Sequence, residues 1–150
     1  LRSRLEDIVE ILPWVATIDA FQQWLYTQPG HSASERKSAW LAVHRRFSGG
    51  EDWSGFDEER AYLWHRQLHL FEVPFYYIEY GIAQLGALGL WVAARKDPAA
   101  ALAGYRRALA LGGSRPLPEL FYAAGLPFDF SERTVAPLAE AVSGALAVRS

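Results

Sequence analysis

The residues of this chain best suited to chemistry are His65, His69, Tyr76, Tyr77 and Tyr80. Imidazole N–H groups and phenol hydroxyls are neutral donors that can meet a developing oxyanion without a cofactor. On a helix, Tyr77 and Tyr80 are three apart and put their hydroxyls on one side, which Gln84 extends by a turn. Phe75, Ile78, Ile82 and Leu85 then point elsewhere and can bury. No nucleophile accompanies these donors. The ordinary alternative is that aromatics at helical spacing belong to a core.

His65 and His69 carry a second reading. They stand four apart on one expected helix, and Glu72 follows on the same face, so the three are the candidate ligands of a small metal site. They are not an H-E-x-x-H motif. There the glutamate after the first histidine activates a metal-bound water, and Arg66 occupies that place here. The ordinary alternative makes His65 a surface or core histidine and gives His69 a separate task.

These residues need helices to position them, and the chain reads as helical throughout. Leu5, Ile8, Val9, Leu12, Val15, Ile18, Phe21 and Leu25 recur at helical spacing, so a first helix is expected over 4–26, with a kink or break near Leu12 ahead of Pro13. Ser32 and Glu35 form a capping box for a second helix ending near Phe47. FSGGEDWSGF is a glycine-rich loop, and with no lysine and no preceding strand it reads as a linker rather than a phosphate cradle. Ser54 and Asp57 suggest a cap for a third helix over 57–71. Pro74 suits a first turn, which places a fourth helix over 74–95. Asp97-Pro98 opens a fifth to Leu111, a sixth runs over 118–124 to Gly125, and a seventh over 131–148. Gly81, Gly86 and Gly89 each cost roughly 1 kcal/mol against alanine in a helix interior, so they imply close approach of another helix or a ligand. The expected fold is an all-α array of about six or seven helices.

Composition narrows the partners. The 150 residues suit one domain or a piece of a larger one, and 51% apolar residues with six tryptophans supply a sizeable core or interface. A net charge of −2 favours neither nucleic acid nor an acidic membrane surface. The absence of cysteine excludes disulfides and thiolate zinc sites. The charge-free run from Tyr80 to Ala94 is shorter than the ~20 residues of a spanning helix. Opening on Leu1 within a helical pattern marks the chain as a possible fragment.

HLFEVPFYYIEYGIAQLGALGLW resembles the C-terminal signature of the oligoendopeptidase F branch of the thimet-oligopeptidase-like zinc metallopeptidases. ILPWVATIDAFQQWLYTQPGH, DWSGFDEERAYLWHRQLHLF and LPELFYAAGLPFDFS resemble it too, so the likeness covers nearly the whole chain but only the last part of the family's catalytic domain. The resemblance implies that His69 contacts substrate near the scissile bond, that Tyr77 and Tyr80 face the substrate, and that Tyr80 donates to the tetrahedral oxyanion. Tyr76 is a neighbour to which the resemblance assigns no role, and it is expected among the substrate-binding residues by its position alone.

The resemblance also implies zinc, which polarises the carbonyl and lowers the pKa of its water. No H-E-x-x-H occurs in these residues, so the ligands are expected before Leu1 and no metal is expected here. Residues 1–150 are then the C-terminal helical portion of a cytoplasmic peptidase acting on short unstructured peptides. Alone it is expected to be inactive. Its partner is the remaining N-terminal part of the same enzyme, with no role for nucleic acid or membrane. Without those helices Tyr76, Tyr77 and the Gly81 side would be left open to water, so self-association through that face, lattice contacts that cover it, or rearrangement of the first helix onto it is expected. The competing reading is a non-catalytic helical interaction module that has lost its metal motif.

Overall fold

The computed structural model describes residues 1–147, and Val148, the expected end of the last helix, lies outside them. Among the described residues the chain forms α1 (Arg2–Thr27), α2 (Ala33–Phe47), α3 (Asp57–Tyr62), a 3₁₀ turn (Leu63–Arg66), α4 (His69–Glu72), α5 (Ile78–Lys96), α6 (Pro98–Leu111), α7 (Leu117–Ala124) and α8 (Glu132–Ala147). The fold is all-α, as expected, with more and shorter helices than periodicity suggested.

The local signals act where they stand. Ser32 and Glu35 close the capping box of α2: the Ser32 N–H donates to the Glu35 carboxylate at 2.7 Å and the Glu35 N–H to the Ser32 hydroxyl at 3.2 Å. Asp97 caps α6 through the Ala100 N–H at 3.0 Å, with Pro98 in the first turn. Gly125 ends α7 in the left-handed conformation. The expected cap at Ser54 is not made. Its N–H and hydroxyl turn back to the Asp52 carboxylate, and α3 starts after Phe56 without a side-chain cap.

Pro13 does not break α1, which runs unbroken from Arg2 to Thr27. The ring removes the donor for the Val9 carbonyl, and Val9 lies on an exposed face where water can replace it. The Thr17 hydroxyl donates to the Pro13 carbonyl at 2.8 Å.

The expected third helix is broken, and its burial pattern explains why. Ala61, Trp64, Gln67 and Leu70 are buried, one every third residue. A straight α-helix turns about 100° per residue, so positions three apart drift off a common face within two turns. A 3₁₀ turn has 3.0 residues per turn and keeps them aligned. Trp64 and Leu70 thereby reach the core, and the backbone leaves helical geometry at Gln67.

The chain divides into two compact units, Asp7–Gly81 on the one hand and Leu1–Glu6 with Ile82–Ser150 on the other. The first has a core of Val15, Ile18, Phe21, Trp40, Trp64, Leu70 and Tyr77. The Phe21 ring centre lies 5.1 Å from that of Trp40 and 5.4 Å from that of Trp64. The Trp40 indole N–H donates to the Arg60 carbonyl at 2.7 Å, tying α2 to α3. In the second unit Leu5, Leu88, Ala101, Leu138 and Val142 are buried, and α6 packs on α7.

The helix glycines sit at close approaches. A Cβ on Gly81 would lie 3.0 Å from a Val15 methyl, one on Gly86 2.9 Å from the Phe121 ring, and one on Gly89 3.2 Å from a Leu126 methyl. Neighbouring chain therefore accounts for all three.

Candidate active site

His69 opens α4, and the chain then reverses. The Tyr76 N–H donates to the Val73 carbonyl at 3.2 Å, with Pro74 second and Phe75 third in the turn. Phe75 has φ of +61°, a left-handed conformation costly for an aromatic residue. Its ring lies 5.1 Å from that of Tyr26 and is not buried, unlike the expectation for a helical Phe75. The turn delays the next helix, so α5 starts at Ile78 rather than Pro74. Tyr76 and Tyr77 therefore precede the helix, and Tyr80 lies in its first turn.

The reversal gathers the tyrosines around one imidazole. The His69 ring is 4.9 Å from the Tyr77 ring, 5.7 Å from and perpendicular to that of Tyr80, and nearly parallel to that of Tyr76 at 6.1 Å. Tyr80 also lies 5.0 Å from Tyr77 and 5.9 Å from Tyr76, centre to centre. The Tyr80 hydroxyl lies 3.4 Å from His69 Nε2. The structure thus brings together all four expected site residues.

They are not equally accessible. Tyr76 and Tyr80 are exposed, whereas Tyr77 retains 9% of its surface and belongs to the core. Burial pushes the Tyr77 phenol above its ordinary value, Tyr80 adds to this, and the Trp14 indole N–H and Arg66 charge act the other way. Its hydroxyl therefore stays protonated at neutral pH. Of the side expected to need a cover, Tyr77 and Gly81 are not open: Val15 of α1 lies on Gly81 and Tyr77 packs into the α1 core, so the first helix occupies that face, while Tyr76 stays exposed.

The metal reading of His65, His69 and Glu72 also fails. Because the segment is not one helix, His65 lies in the 3₁₀ turn against Tyr62 and Trp64, away from the His69 cluster. Among the described residues no group of three histidines or carboxylates is placed to hold a metal.

Two neighbours of His69 had no sequence motif to announce them. The Gln67 side-chain nitrogen lies 2.7 Å from His69 Nδ1, and the Trp14 indole N–H donates to the Gln67 side-chain oxygen at 3.0 Å. Gln67 is 8% exposed, and nothing in the sequence signals its burial.

The chain belongs to peptidase family M3, whose sequence profile matches residues 4–139. Among solved structures it is similar to a protein assigned as oligoendopeptidase F, at 35% identity and a TM-score of 0.87, over 98% of this chain and 26% of that one. It is similar to PZ peptidase A, solved with an inhibitor, at 34% identity and a TM-score of 0.86, over 97% of this chain and 26% of that one. An assigned oligoendopeptidase F from Bacillus anthracis strain Ames is 30% identical with a TM-score of 0.70, over 97% of this chain and 23% of that one. The chain thus spans about a quarter of the length of these proteins. No curated protein sequence matches it.

Proposed function

We propose that the chain is the substrate-facing C-terminal portion of the catalytic domain of a zinc oligoendopeptidase that cleaves short unstructured peptides in the cytoplasm. The observation that carries this reading is the pairing of the exposed Tyr80 hydroxyl with His69, backed by the buried Tyr77. Tyr80 donates to the oxyanion that forms at the scissile carbonyl. His69 and Tyr76 contact the peptide beside that bond. Tyr77 packs against the Tyr80 ring at 5.0 Å from the core side and supports it there.

Zinc belongs to the family as a whole, and the described residues do not fit a zinc site, since no group of three histidines or carboxylates among them is placed to hold a metal. The ligands are assigned to the remaining N-terminal part of the enzyme, which is also the proposed partner of this portion. What these residues contribute is binding, orientation and hydrogen-bond donation. Among the described residues no helix is long and apolar enough to cross a membrane.

The test is an assay of this chain alone with a quenched peptide and added zinc. No turnover and only weak zinc binding are expected. Turnover that survives a mock purification places the whole catalytic apparatus within this chain and overturns the assignment.

A further inference from the structure

We propose that Trp14 and Gln67 are positioning residues that set the tautomer of His69, so that a one-way chain of donors ends on the Tyr80 hydroxyl. The inference deepens the peptidase reading and rests on it only for the role of the last donor.

The direction follows from the inventory of protons. An indole N–H can only donate, so the Gln67 atom 3.0 Å from Trp14 Nε1 must be the amide oxygen. That fixes the amide, whose NH₂ group then faces His69 Nδ1 at 2.7 Å. An NH₂ group can only donate as well, so Nδ1 must accept and carries no proton. The neutral ring therefore bears its proton on Nε2. Nε2 lies 3.4 Å from the Tyr80 oxygen, so it donates there and leaves the Tyr80 O–H free to point away. The opposite tautomer would set two donors face to face at the buried Gln67. It would also make Nε2 an acceptor and draw the Tyr80 proton inward, away from a substrate oxyanion. Trp14 stands 53 residues before Gln67, so the first helix reaches the reaction through two intervening side chains.

Long-range ¹H–¹⁵N correlation of the histidine rings in the full chain reads the tautomer directly. The expected result is His69 protonated on Nε2 by about tenfold or more over the alternative, the population bias of a lost hydrogen bond. Gln67→Glu replaces the donor with an acceptor and should move the proton to Nδ1. Trp14→Phe frees the amide to turn and should give a mixture, which keeps a readout if Gln67→Glu fails to fold. His69 protonated on Nδ1 in the unmodified chain, or an unchanged tautomer in folded variants, overturns the proposal. The spectrum is independent of turnover, so failure of the peptidase reading leaves this result standing.

Discussion

The Tyr80 hydroxyl lies 3.4 Å from Nε2 of His69, across a reversal of eleven residues, while Tyr80 as a residue is 41% exposed. On the proposed reading this hydroxyl, paired with His69, is the one that meets substrate. In the intact enzyme Tyr80→Phe should therefore lower kcat far more than it raises KM, because the hydroxyl acts mainly in the transition state. One lost oxyanion donor costs ~2.7–4 kcal/mol. His69→Ala should also impair turnover, with a substrate-binding component. Steady-state kinetics beside thermal melts check both. Near-normal kcat with a much lower Tm would return Tyr80 to a packing role.

Exposed apolar side chains flank His69 and Tyr77 along the sequence. Leu68, Phe71, Val73, Phe75 and Tyr76 are all open. Covering a few hundred Å² of such surface is worth several kcal/mol at roughly 25 cal/mol per Å², and large open patches usually mark contact surfaces. The isolated chain should self-associate through this side. Light scattering over a concentration series checks it, and Phe71→Glu should weaken the association. A strictly monomeric chain at every concentration is the contrary result.

Two helix glycines should respond oppositely to alanine. A Cβ on Gly104 of α6 would run into the backbone carbonyl of Ala124, which cannot swing aside. Gly144 of α8 has open space around the same position. Gly144→Ala should stabilise by up to about 1 kcal/mol through helix propensity. Gly104→Ala should destabilise, because overpacking of ~1–3 kcal/mol exceeds that gain. Denaturant unfolding of both variants gives the comparison. Equal shifts of the same sign would remove the close α6–α7 approach as the reason for Gly104.

His44 supplies a pH dependence. It is buried beside Trp40, Trp14 and Trp53, and the Arg60 side chain donates to its Nδ1 at 3.4 Å. Burial, then the Arg60 charge, lowers its pKa below the ordinary 6.5, and the Glu51 charge opposes this weakly. The unfolded chain therefore binds the proton first as pH falls. The stability contribution is fully present above about 6.5 and is lost as pH drops below it toward the folded value. Melts between pH 8 and 5 should show this loss, and His44→Gln should flatten it. An identical slope in that variant would assign the dependence to other groups.

Much of this chain was legible one turn at a time. The capping box at Ser32 and Glu35, the Asp97-Pro98 start of α6 and the Gly125 stop each need only neighbours a few residues away, so composition and spacing suffice. His69, Tyr77 and Tyr80 were visible as residue types at a spacing, although only the family resemblance assigned them a donor role over a place in the core. Their arrangement was not. The break in 57–71 is imposed by burial of Trp64, Gln67 and Leu70 at a period of three, with no proline or glycine to announce it. Phe75 takes a turn conformation usually left to glycine, which moves Tyr77 off the helix and into the core. Trp14 meets Gln67 from 53 residues away. Local hydrogen bonds are chosen by local sequence, whereas exposure and the direction of a donor depend on which distant surface excludes water, and only the folded chain decides that.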